Sequence, residues 1–152
     1  MNYDAYSFVL QRRVNLPLTA VQRGLADRAP LVASRRLDLG DTGSVVLREP
    51  LQPVPPFSRY QAQPTWCGRA TALSPRGSTV ANVDIEVSMW SPEATCVTVR
   101  PVARHPERWS RRRVRRYFAL AHETADTVGA VLVDRAARRE TSAAPDRVVV
   151  RA

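Results

Sequence analysis

Ser110 to Arg138 forms the longest regular pattern in this chain, with the sequence SRRRVRRYFALAHETADTVGAVLVDRAAR. At about 100° per residue, its apolar side chains fall on one narrow stripe, which is typical of an amphipathic helix. A helix with one buried face needs a second layer to cover that face, and a sheet can supply it. The sequence therefore predicts a long helix packed on a sheet. The stripe consists of Val114, Tyr117, Phe118, Ala121, Ala125, Val128 and Leu132.

Length and cysteine usage indicate a single domain without cross-links. The chain has 152 residues, enough to bury a core unaided. Cys67 and Cys96 are too few and too far apart for a disulfide framework, so both are interpreted as free thiols. The chain starts without a basic and apolar leader, and no apolar run is long enough to span a bilayer. We expect a soluble cytoplasmic protein with no cofactor and no metal, and a homodimer is left open.

The positive charge of the chain comes from arginine alone. The net charge is +9, and the sequence contains no lysine. Schiff-base catalysis on a side-chain amine and the lysine of a phosphate-binding loop are therefore excluded. The charge does predict attraction to anionic surfaces.

Short alternating segments precede the long helix and predict an antiparallel sheet. In the clearest of them, Val83, Ile85, Val87 and Met89 point to one side and the residues between them to the other. The prolines of Glu49 to Ser58 predict an extended loop. Strands are predicted over Ala5–Val14, Ser34–Leu39, Ser44–Arg48, Arg59–Leu73, Thr79–Trp90 and Thr95–Val102, and a short helix runs from Asn15-Leu16-Pro17 to about Ala29.

The order of these elements resembles the helix-grip fold of the START-like, or SRPBCC, superfamily. The resemblance covers about residues 3 to 138 and predicts one α+β domain of about six antiparallel strands wrapped around a C-terminal helix. Residues 139 to 152 are expected to form a flexible tail, in which Val148 to Val150 could pair as a strand. The resemblance rests on Phe8-Val9-Leu10, Asn15-Leu16-Pro17 to Leu25, Val83 to Trp90, Ser91-Pro92-Glu93, Cys96-Val97-Thr98-Val99-Arg100 and the helix from Ser110.

Members of that superfamily leave a cavity between sheet and helix for lipids, sterols or polyketides, and some are cyclases or aromatases. The resemblance therefore implies an apolar or amphipathic ligand. Because Ala121 and Ala125 are small, they should leave volume unfilled. The implied lining is Val83, Ile85, Val87, Met89, Val97, Val99, Tyr117, Phe118, Ala121, Ala125 and Val128, with Tyr60, Arg69, Thr71 and Arg100 as candidate polar groups.

Two further functions stay open from the residues. His122 lies four residues before Asp126 on the predicted helix, so the pair could act as a general base in a cyclase-like enzyme. Arg112, Arg115 and Arg116, within the run Arg111 to Arg116, could bind an anionic partner, although such runs are usually solvated. Without a nucleic-acid-binding motif, nucleic acid is the less favoured partner. A metal site of Cys67, Cys96, His105 and His122 matches no zinc spacing.

Overall fold

Six antiparallel strands form one curled sheet, and a long C-terminal helix lies on its concave face. The computed structural model describes residues 8–27, 36–54 and 65–150, with the backbone alone for 23–27 and 135–150. The strand order is β1-β6-β5-β4-β3-β2, which confirms the predicted α+β, helix-grip architecture. The elements are β1 (Leu10–Val14), α1 (Leu18–Asp27), β2 (Arg36–Asp38), β3 (Ser44–Val54), β4 (Thr65–Leu73), β5 (Thr79–Ser91), β6 (Ala94–Pro101) and α2 (Arg111–Val150).

The alternation predicted for β5 is confirmed over most of its length. Val83, Ile85 and Val87 are buried on the concave face, and the residues between them are partly exposed on the other face. Met89 differs from the prediction because half of its surface is exposed. It still pairs in register with Thr95, just before the register shift that ends the β5–β6 hairpin, so the row of fully buried side chains ends at Val87.

Helix α2 is anchored at its N-terminal end. Ser110 caps it, accepting a hydrogen bond at Oγ from the amide of Arg113 at 3.2 Å. The Tyr117 hydroxyl donates to the carbonyl of Phe8 at 2.6 Å, and this links the helix to the chain just before β1. The predicted apolar stripe is confirmed, since each of its members is buried except Phe118, which is partly exposed.

The helix is longer than predicted. It continues from Arg111 to Val150, whereas the sequence pattern indicated an end near Arg138. Val148 to Val150 have helical backbone, so the suggestion that they pair as a strand is wrong. The predicted boundary between a domain over residues 3 to 138 and a flexible tail stays a prediction.

The proline-rich segment is a second difference. Strand β3 runs through Pro50 and Pro53 to Val54, where the sequence predicted a loop. Pro50 is tolerated because the pairing of β3 with β4 shifts register between Leu47 and Glu49 and again between Glu49 and Gln52. Pro53 pairs in register with Trp66, but it lies beyond the part of β3 that β2 covers, on an open edge of the described sheet. Residues 55–64, which contain the rest of the predicted loop and Tyr60, lie outside the described residues.

The tight turn between β2 and β3 packs against the end of β4 and against helix α2. Gly43 has φ +134°, a backbone conformation that favours glycine. A Cβ placed on Gly43 would lie 2.1 Å from the carbonyl oxygen of Leu73 and 3.1 Å from Cδ2 of Leu120. Glycine is therefore required for the turn to approach both the end of β4 and helix α2.

Candidate ligand-binding groove

The concave face of the sheet is closed beneath α2. Val83, Ile85, Val87, Val97 and Val99 are at most 2% exposed. Tyr117, Ala121, Ala125 and Val128 on the facing helix are buried to the same degree. Because these side chains belong to one packed core, they leave almost no surface that a water molecule can reach. The small side chains of Ala121 and Ala125 therefore do not leave open volume at the centre of this contact.

An open groove lies instead at one edge of the sheet, between β1 and α2. Its volume is about 410 Å³, within the usual range for small-molecule sites. Ala125 and Gly129 form its helical wall, and Val14 and Leu16 face them from the end of β1 and the turn that follows. A Cβ on Gly129 would lie 3.3 Å from Cγ2 of Val14, so the Val14 side chain packs close to the backbone of α2 at this point. Arg12, Arg13, Asn15, Asp126 and Val133 complete the lining.

Arg12 supplies the polar chemistry of the groove. In the alternation of β1 it lies on the concave face, opposite Val97, and it reaches across to α2. Its Nε donates to Oδ1 of Asp126 at 3.0 Å, and its Nη2 lies 2.8 Å from Nδ1 of His122. A guanidinium has five N–H groups, so Arg12 keeps donors beyond these two contacts. Those donors could hold an anionic or carbonyl group of a ligand.

The predicted His122–Asp126 pair is bridged by Arg12 rather than formed directly. Since a guanidinium only donates, Nδ1 of His122 must accept, and the imidazole proton then lies on Nε2. In this arrangement Nδ1 is engaged by Arg12 and does not face the carboxylate of Asp126. The arrangement favours a positioning contact for Arg12 over general-base chemistry.

Three of the candidate polar groups lie on the convex face, away from α2. Arg69 pairs with Asp84 at 3.3 Å, and Arg100 pairs with Glu86. Thr71 accepts a hydrogen bond from Arg48 and donates one to Asn82. These three residues therefore lie apart from the contact between sheet and helix.

The described cysteines and histidines do not gather into a metal site. Among the described residues, no three His, Cys, Asp or Glu side chains meet in a metal-binding arrangement. Burial, and next the nearby carboxylate of Glu86, raise the pKa of the Cys67 thiol. His105 pairs with Glu107 at 2.9 Å, and hydrogen bonds from the Glu107 backbone and from His105 lower the pKa of that carboxyl.

The sequence pattern did not indicate two buried polar groups that lack a hydrogen-bond acceptor among the described residues. Nε1 of Trp66 and Nε2 of Gln22 are shielded from solvent without a hydrogen-bond acceptor among the described residues. Trp66 faces Val87 in the register of the sheet and belongs to the concave side. An indole N–H in such a place costs free energy unless a water or a ligand accepts from it.

The groove itself had a sequence signal. Gly129 interrupts the predicted helix, and glycine inside a helix usually has a packing or functional reason. Arg12 carries a charge at a concave-face position of the first strand, which is a second signal. Neither signal identifies a groove until the helix and the strand are placed together.

No membrane-crossing helix is found: in the described part of the chain, no helix has the length and apolar character that crossing a bilayer requires. No family model matches the chain, and no curated protein matches it. Among solved structures, the chain is similar to Zhui aromatase/cyclase from Streptomyces sp. R1128. The identity is 14% and the TM-score 0.36, over 86% of this chain and 93% of that chain. At this level of similarity, the fold assignment rests on the strands and helices themselves.

Proposed function

We propose that this protein binds an apolar or amphipathic small molecule between its sheet and its C-terminal helix, in the groove along β1. The volume of the groove, about 410 Å³, with small side chains on its helical wall, is the observation that carries the proposal. Ala125 and Gly129 leave space where larger side chains would close the groove. The apolar part of a ligand would lie against Val14, Leu16 and Val133.

Arg12 would orient the ligand. It contacts Asp126 and His122, and these contacts direct it across the groove toward α2. A guanidinium in this position favours a carboxylate, phosphate or carbonyl at one end of the molecule. Amphipathic molecules with an acidic or carbonyl head, such as fatty acids and aromatic polyketides, have this chemistry.

Thermal-shift titration with fatty acids, sterols and aromatic polyketides tests this function. A ligand at about 100 times its Kd stabilises a protein by about 2.7 kcal/mol. For a chain of this size, such stabilisation raises the Tm by roughly 5–11 °C. Silence of every compound in the screen would contradict the proposal.

Paired tryptophan variants locate the bound molecule. V133W should narrow the groove and lower the affinity at least tenfold, because Val133 lies on its wall. V102W is the matched control, since the exposed fractions of Val133 and Val102 are 45% and 44% and Val102 does not line the groove. Equal affinities of the two variants would place the ligand elsewhere.

A further inference from the structure

Six exposed arginines lie together in the chain at the start of α2 and just before it, and we call them the arginine surface. They are Arg104, Arg108, Arg111, Arg112, Arg115 and Arg116. The ion pairs formed between described residues are Arg12–Asp126, Arg69–Asp84, Arg100–Glu86 and His105–Glu107. None of them includes a member of the arginine surface. Within the described part of the chain, none of these six guanidinium groups forms an ion pair, and Arg108 alone is close enough to a carboxylate, that of Glu107, to help lower its pKa.

Arg113, in the same run, shows what a structural arginine does in this fold. Its Nε donates to the carbonyl of Val80 at 2.9 Å, and its guanidinium lies 4.3 Å from the ring centre of Trp109. The arginine surface makes no such contact among the described residues. Its members add charge to the molecule without adding to its packing.

The position of these charges is unfavourable for the folded chain. The N-terminus of a helix carries partial positive charge, so cations in its first turns are destabilising. Arg111 and Arg115, and likewise Arg112 and Arg116, are also four residues apart, a spacing at which like charges repel. An anionic partner would offset both effects.

The side chains near the arginine surface favour one class of anionic partner. Trp109 cannot stack on an unpaired base, because Arg113 covers its ring and Tyr117 packs against it. The large apolar side chains exposed in the described residues are Met89, Trp90, Val102 and Val133, and none lies in the first turns of α2. Single-stranded nucleic acid is usually bound through exposed aromatics, and a bilayer surface through exposed apolar side chains. A duplex backbone needs only cations that reach its phosphates.

We propose that the arginine surface binds the phosphate backbone of double-stranded nucleic acid without sequence preference. Guanidinium groups suit this role because they form paired hydrogen bonds with phosphate oxygens. The binding is independent of the groove along β1, which is lined by a different part of α2.

Fluorescence anisotropy with a labelled random-sequence DNA duplex of about 30 base pairs tests this proposal. Six phosphate contacts predict a slope of about −5 in log K against log salt concentration. Affinity should then fall about 10³-fold between roughly 50 and 200 mM salt. A slope shallower than about −2 would overturn the proposal, because it corresponds to no more than about two phosphate contacts.

Two triple variants separate the arginine surface from net charge. R112Q/R115Q/R116Q should weaken duplex binding and make the slope shallower by about 3. It should also melt at a higher temperature, so lost binding cannot be ascribed to unfolding. R36Q/R69Q/R76Q removes the same charge from exposed positions outside the groove and should keep the wild-type slope. Equal losses in the two variants, or tighter binding to phosphatidylserine vesicles than to the duplex, would contradict the proposal.

Discussion

Replacing Gly43 by alanine should destabilise this protein far more than the same change at Gly77. Both glycines have positive φ, +134° and +86° respectively. A Cβ on Gly77 meets no atom within 4 Å, whereas one on Gly43 lies 2.1 Å from the backbone oxygen of Leu73. A real Cβ does not approach another atom that closely, so the β2–β3 turn would have to separate from β4.

The loss of stability in each variant follows from a comparison of the two glycines. G77A carries only the strain of a left-handed alanine, about 1–2 kcal/mol. G43A adds backbone strain of about 1–3 kcal/mol to steric overlap of about 1–3 kcal/mol, giving about 4 kcal/mol in total. At roughly 2–4 °C per kcal/mol, the Tm should fall by roughly 8–16 °C for G43A.

Urea unfolding followed by circular dichroism measures both changes on the same scale. The midpoint for G43A should fall well below that for G77A, with a similar slope. Equal midpoints would show that the turn does not pack on Leu73 and Leu120. The reasoning that places β2 and β3 beside the helix would then be refuted.

Three other changes test single contacts. Burial raises the pKa of Tyr117, so the tyrosine ionises at lower pH in the unfolded state than in the folded state. The free energy of unfolding should therefore fall as pH rises above about 10, by up to about 1.4 kcal/mol per pH unit. The urea midpoint of Y117F should fall less over the same pH range. W66F should change the free energy of unfolding by less than about 1 kcal/mol, because it removes an indole N–H that has no acceptor among the described residues. Replacing a buried tryptophan by alanine typically costs about 3–5 kcal/mol. H122A should keep the ligand affinity within about fivefold of the wild-type value, since Asp126 still contacts Arg12. If H122A binds the ligand but no longer forms a cyclised product that the wild-type protein forms, the enzyme hypothesis is favoured instead.

Periodicity in the sequence was sufficient for the long helix and the clearest strand, whereas the arrangement of six strands around the helix was predicted from the resemblance to the helix-grip fold. The stripe from Val114 to Leu132 and the alternation of Val83, Ile85 and Val87 are local patterns, and burial follows them directly. The path of β3 could not be predicted in this way. Pro50 lies at register shifts against β4 and Pro53 beyond the end of β2, and both features depend on neighbouring strands and not on the local sequence.

The candidate site was predicted less well than the fold. The small side chains of Ala121 and Ala125 predicted unfilled volume, but whether small side chains leave a cavity depends on the side chains that face them. Val87 and Val97 are fully buried, so the centre is closed. The open space lies one strand further along, where Gly129 meets Val14. Arg69 and Arg100 lie on the convex face because their strand positions alternate with those of the buried valines.

Chemical-shift mapping tests most directly whether the groove along β1 holds the ligand. Isotope-labelled protein would be titrated with the compound that gives the largest thermal shift, and amide shifts would be followed at saturation. The largest changes in amide chemical shift should fall on residues 12–16 and 125–133, which form the two walls of the groove. Changes concentrated around Glu49, Arg69 and Arg100 on the convex face would contradict this prediction.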